Sequence, residues 1–122
     1  MSATRPVSHT LDIYGDTLHL ATTRRAARTL AKRYELEVAV VVAAVGSTTP
    51  VIHSRTGERH VVIWIDVQAI DRPRDLIDTL AHEASHAADF IADRGLDNEA
   101  RAYLVGWITG WLWEQVGDAM PR

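Results

Sequence analysis

His82-Glu83-Ala84-Ser85-His86 is the segment of this sequence whose residue types and spacing can do chemistry. Histidines four apart on a helix project from one face, one turn above the other, so both imidazoles can reach a single ion. The glutamate after the first histidine points beside them. There it can take a proton from a water activated by the ion without itself being a ligand. Zinc suits two nitrogen donors, and with a third protein ligand it keeps a fourth position open for water. The 122 residues include no cysteine, so that third ligand must be His, Asp or Glu. No histidine follows His86, which leaves Asp89, Asp93, Asp97 and Glu99 as downstream carboxylates. Asp89, three residues beyond His86 on the same face, suits a hydrogen bond from a ligand imidazole better than a place on the ion.

HExxH followed by Asn98-Glu99 at the start of a further helix resembles the gluzincin branch of zinc metallopeptidases, where a downstream glutamate is the third ligand. The longer string is His82–Phe90, Gly95, then Asn98-Glu99-Ala100 with Ala102, Tyr103, Leu104, Gly106 and Trp107. It resembles small stand-alone zincin-like proteins encoded by phages and prophages. The resemblance implies Zn2+ held by His82, His86 and Glu99, with Glu83 as catalytic base. It implies a zinc-dependent metallopeptidase acting on a peptide or a limited, cognate protein substrate. The alternative is a catalytically silent zincin-fold binding protein, such as a phage-encoded modulator of a host factor. Tyr103, one turn beyond Glu99, can hydrogen-bond a developing oxyanion or simply anchor its ring in the core.

One departure from the family bears on Glu99. The thirteen residues from His86 to Glu99 are fewer than gluzincins use. From His86 to a turn near Gly95 a helix descends ~13 Å, whereas Asp97 to Glu99 climbs only ~3 Å. Glu99 reaches the ion if the first helix ends near Phe90 or Ile91, or if the two helices cross steeply. Otherwise Asp93 is the third ligand.

These residues need an active-site helix over about 74–93 and a C-terminal helix over about 98–116. Asp71-Arg72-Pro73 looks like a helix start with Asp71 as cap, Gly95 like a left-handed stop, and Asp97 or Asn98 like the next cap. Upstream, short alternating runs around Gly15-Asp16 suggest a small hairpin or an irregular N-terminal arm. Thr23–Tyr34 patterns as a helix, with Ala26, Ala27, Leu30, Ala31 and Tyr34 on one face and Arg24, Arg25, Arg28 and Lys32 on the other. That basic face is a solvated surface or a contact for an acidic partner. Glu37–Val45 reads as a strand buried on both faces, broken by Gly46–Pro50, and His60–Gln68 as a second strand after the Thr56-Gly57-Glu58 turn. The expected whole is one α+β domain spanning 1–122, a minimal zincin-like fold. A small β-sheet would be packed by an N-terminal helix, the HExxH helix and a C-terminal helix.

Several further residues carry expectations. Trp64 and Asp66 would border a cleft if the strand at His60–Gln68 binds extended substrate by strand addition. Tyr103, Gly106, Gly110, Trp113 and Gly117 share a helical face with Glu99, so the glycines would let that helix approach the active one closely. Leu104, Trp107, Ile108 and Trp111 form another face, either core or an exposed patch through which a homodimer would form. His53 and His60 are candidate cleft residues, and His9 and His19 are expected at the surface.

Composition narrows the classes. The hydrophobic fraction is 47%, the charged fraction 24% and the formal net charge −3, as in an ordinary globular domain with no nucleic-acid signature. Disulfides, thiol nucleophiles and cysteine zinc fingers are excluded. The N-terminus lacks the apolar core of a signal peptide. Ala102–Trp113 is too short to span a bilayer, so a cytoplasmic protein with no membrane partner is expected.

Overall fold

Two glycines with positive φ, Gly15 at 77° and Gly57 at 74°, close the two tight connections that organise the sheet. In the computed structural model, which describes residues 5–93 and 97–119, the chain is α+β with a four-stranded mixed sheet. It divides into two compact units, Met1–Asp66 and Val67–Arg122.

In the first unit, β1 (Val7–Thr10) and β2 (Thr17–Ala21) form the expected antiparallel hairpin, pairing Ser8 with His19 and Val7 with Leu20. The chain then enters α1 (Arg24–Arg33), capped by Thr23, whose Oγ1 accepts from the Ala26 N–H at 3.1 Å. The expected division of faces is observed: Ala26, Ala27, Leu30 and Ala31 are buried, while Arg24, Arg25, Arg28 and Lys32 are exposed. Small alanines let α1 lie close over Ala21, Val62 and Trp64, with which they form one core cluster.

The strand expected over Glu37–Val45 is absent. Glu35 turns the chain through the left-handed region at φ 56°, and Val38–Val41 forms a single helical turn, α2, of which only Val41 is buried. The strand is instead Gly46–Ile52, β3, the stretch expected to be a break. Hydrophobicity does not decide between these segments; access to a ladder does. A tight turn at Ser54–Gly57 joins β3 to β4 (Arg59–Ile65), pairing Pro50 with Val61 and Ile52 with Arg59. Closing so short a loop costs less entropy than closing the longer one needed from Glu37–Val45. The sheet order β1-β2-β4-β3 leaves β3 at an edge, where Pro50 does not break an interior ladder. Ser47 hydroxyl donates to the Val41 carbonyl, tying α2 to β3.

β4 lies inside the sheet, parallel to β2 and antiparallel to β3, and Val61 to Ile65 are all buried. It has no free edge for an added strand, which corrects the substrate-binding expectation. Trp64 is 2% exposed and donates its Nε1–H to the Ala44 carbonyl at 2.9 Å, so it borders no cleft. Asp66 lies past the end of β4, its N–H bonded to the Val45 carbonyl.

The second unit is a helical pair. α3 (Pro73–Ala92) starts with Pro73 in its first turn, where the missing N–H costs nothing. Its cap is Arg72 rather than Asp71, and no side chain closes it; Arg72 instead pairs with Asp75 at 2.9 Å. α4 (Asn98–Val116) is capped as expected by Asp97, which accepts from the Ala100 N–H at 2.8 Å. Gly95, the expected stop, lies outside the described residues. Leu76, Leu80, Ala84, Ala87, Ala88 and Ile91 of α3 are buried, as are Leu104, Ile108, Trp111, Leu112 and Val116 of α4. The two helices pack on each other. Among the described residues no helix is long and apolar enough to cross a membrane.

Candidate metal centre

His82 and His86 stand one turn apart on the exposed side of α3, with their Nε2 atoms 3.1 Å apart. Two nitrogens bound to one tetrahedral zinc at 2.0–2.1 Å are separated by about 3.3–3.4 Å, so the pair is within a few tenths of an ångström of that spacing. The ring centroids are only 4.7 Å apart and the planes stand at 78°. At that separation the two nitrogens are also within hydrogen-bond distance of each other in the absence of an ion.

Glu83, one residue on, is carried round the helix to the buried side and is 4% exposed. It is partnered there: no described buried side-chain N or O atom lacks a hydrogen bond. The carboxylate is therefore held on the buried side of α3, while the two imidazoles stand on its exposed side.

Arg101, not Glu99, is the first-turn side chain of α4 that meets α3. Its Nε donates to Asp89 Oδ1 at 2.5 Å and its Nη2 to Ser85 Oγ at 2.9 Å. That hydrogen bond holds the Asp89 carboxyl below its usual range, against a smaller opposing desolvation. Asp89, expected to orient a ligand imidazole, is thus committed to Arg101. Two residues on a helix is 200° of rotation, so Glu99, like Asn98 beside it, is exposed and directed away from that contact. Among the described residues no third His, Cys, Asp or Glu joins His82 and His86 in a metal-holding group. Asp93, the other candidate ligand, is the exposed C-cap of α3.

The face shared by Glu99, Tyr103, Gly106, Gly110 and Trp113 is exposed. Tyr103 is 78% exposed, which excludes the core-anchor role, and a Cβ placed on Gly106 or Gly110 meets no atom within 4 Å. The glycines do not mediate a close helix approach, because Leu104, Ile108 and Leu112 supply the packed face instead. Trp107 and Trp111 do not share one open patch: Trp111 is 8% exposed and Trp107 is 42% exposed.

A scan against protein-family models and searches of curated proteins and solved structures return no match.

Sequence patterns missed a second histidine cluster, in the first unit. His19, expected at the surface, is 4% exposed. Its Nδ1 lies 2.7 Å from Ser8 Oγ, and its Nε2 lies 3.0 Å from both His60 Nδ1 and the Tyr34 hydroxyl. The His19 and His60 centroids are 5.2 Å apart, so these two nitrogens point almost straight at one another, as in a hydrogen-bonded pair rather than two ligands of one ion. Burial, then the charges of His60 and Arg33, lower the His19 pKa from 6.5 to about 4. Alternation within β2 carries the relevant signal, since Leu18 and Leu20 mark one face and His19 shares the other with buried Ala21. His53 is exposed and caps its own turn, its Nδ1 accepting from the Arg55 and Thr56 N–H groups.

Proposed function

We propose that this chain is a zincin-like, zinc-dependent metallopeptidase of the gluzincin type, with His82 and His86 as the resident zinc ligands and Glu83 as the base. The observation that carries the reading is the preset Nε2–Nε2 pair on an accessible helix face, with a buried carboxylate one residue away. Zinc, when bound, supplies Lewis acidity toward a peptide carbonyl and toward the attacking water. His82 and His86 lend neutral nitrogens. Glu83 takes the proton of the attacking water and returns it to the leaving amine. Glu99 is proposed as the third ligand and Asp93 as its substitute, and Tyr103 as an oxyanion donor; each is an exposed side chain that must turn toward the imidazole pair to act there.

A second reading, a zincin-fold binding protein without hydrolysis, is favoured by the burial of Glu83, whose carboxylate is already partnered on the inner side of α3. The two differ in experiment. Elemental analysis of protein purified without chelators should find zinc, and His82→Ala with His86→Ala should abolish it; a metal-free wild type defeats both readings. Cleavage of a mixed peptide library should be lost in Glu83→Gln with zinc retained. Zinc binding with no cleavage by the wild type selects the binding protein. Glu99→Ala and Asp93→Ala, compared for zinc retention, assign the third ligand.

A further inference from the structure

The first unit has an open surface cavity of about 500 Å3, lined by Arg5, Pro6, Arg25, Thr29 and Arg33, of which all but Pro6 are exposed. Its size is that of small-molecule sites. Arg25, Thr29 and Arg33 follow one another at four-residue spacing along one flank of α1, and Arg5 comes from the segment before β1.

The charge of the lining is one-sided. Three arginines line the cavity and, among the described residues, no acidic residue does, although acidic residues outnumber basic ones by 16 to 13 in the chain. Among the described residues no ion pair engages Arg5, Arg25 or Arg33. Arg59 pairs with Asp16, Arg72 with Asp75 and Arg101 with Asp89, whereas Arg24, Arg28, Arg55 and Arg74 are in no ion pair either and line no part of this cavity; what sets Arg5, Arg25 and Arg33 apart is that they border one space. Arg33 lies with its Cζ 5.9 Å from the Tyr34 ring centroid, which steadies the side chain without neutralising it. Like charges gathered around one space repel each other, and that cost is recovered when a multiply charged anion sits among them.

We propose that this cavity binds a small phosphomonoester, its phosphate held by Arg5, Arg25 and Arg33. A phosphate dianion offers three oxygens to planar donor forks, and arginine matches that geometry where lysine does not. The ligand is a small molecule rather than a nucleic-acid strand, because these three arginines border one cavity rather than a continuous basic face. The remaining basic residues of α1, Arg24, Arg28 and Lys32, are exposed and line no part of it.

Phenyl phosphate is the probe, titrated calorimetrically into the full chain at low salt. The expected result is one molecule bound per chain, with benzoate at least about tenfold weaker, since a carboxylate engages fewer of the guanidinium donors. Arg25→Ala and Arg33→Ala should each weaken binding by about tenfold or more, the loss of one charge-assisted contact. Arg24→Ala and Arg28→Ala should stay within about twofold, being screened surface charges. All four side chains are exposed, so the variants should keep the wild-type circular dichroism. No binding of phenyl phosphate at millimolar concentration overturns the proposal, as does benzoate binding equally well. Equal losses from Arg24→Ala and Arg25→Ala also overturn it, since they mark a diffuse basic face of the kind that attracts nucleic acid. None of these outcomes involves α3, so the metallopeptidase reading stands or falls separately.

Discussion

Gly106 and Gly110 are interior positions of α4 with nothing within 4 Å of where a Cβ would sit. Glycine in a helix interior costs roughly 1 kcal/mol relative to alanine, because it surrenders more backbone entropy. Replacing both should therefore stabilise the chain by about 1–2 kcal/mol, without the strain that normally offsets such a gain. The melting temperature should rise by roughly 5–10 °C. Urea unfolding followed by tryptophan fluorescence reads this out, because Trp111 sits buried on the packed face of the same helix. The midpoint should move up with the slope unchanged. Gly117→Ala is the contrast: its Cβ would lie 2.8 Å from the Trp113 ring, so that variant should lose stability. A destabilised Gly106→Ala or Gly110→Ala would refute the reasoning. It would mean that the glycine face is packed after all, against another chain or in a different arrangement of α4.

Three further outcomes are expected. Ile108→Ala removes a fully buried side chain from the α3–α4 interface and should cost about 2–5 kcal/mol in denaturant unfolding. In the metal-free protein His19 is harder to protonate folded than unfolded, so the unfolded chain binds the extra proton as the pH falls. The stabilisation is full above pH 6.5 and is lost as the pH falls toward about 4, by about 2 kcal/mol after solvent screening. Unfolding midpoints at pH 7 and pH 4, with His19→Gln as reference, measure it, and a flat difference between the two proteins defeats the assignment. Arg101→Ala should let the Asp89 carboxyl titrate at a higher pH, which a carboxyl NMR titration detects directly.

Helix ends were legible where a side chain closes them. Thr23 and Asp97 each accept from an N–H three residues on, and each is readable as a cap. Asp71 fails because the same local chemistry can be supplied one residue later by Pro73 and the Arg72–Asp75 pair. The valine run at Glu37–Val45 misleads because strand formation is decided by an available partner rather than by the run itself. The imidazole pair follows from spacing alone, since four residues on a helix fix it. The direction of Glu99 does not, because the rotation of α4 about its own axis is set by which face packs on α3. Arg101, Leu104, Ile108 and Leu112 claim that face and turn Glu99 outward. Burial of His19 likewise depends on α1 lying over the sheet, which no local pattern reports.

The placement of β4 between β2 and β3 has a consequence for how the chain comes into being. β2 and β4 pair in parallel, Leu18 with Val61 and Leu20 with Ile63, across an intervening segment that includes α1, α2 and β3. Parallel pairing over such a distance demands a large loop closure before any contact rewards it. During synthesis the hairpin of β1 and β2 and the helix α1 emerge first, yet the strand that joins the two halves of the sheet is made last. A nascent chain ending before Arg59 holds two unconnected edges and an uncovered alanine face on α1. The four-stranded sheet can therefore be complete only once the seven residues Arg59 to Ile65 have been made.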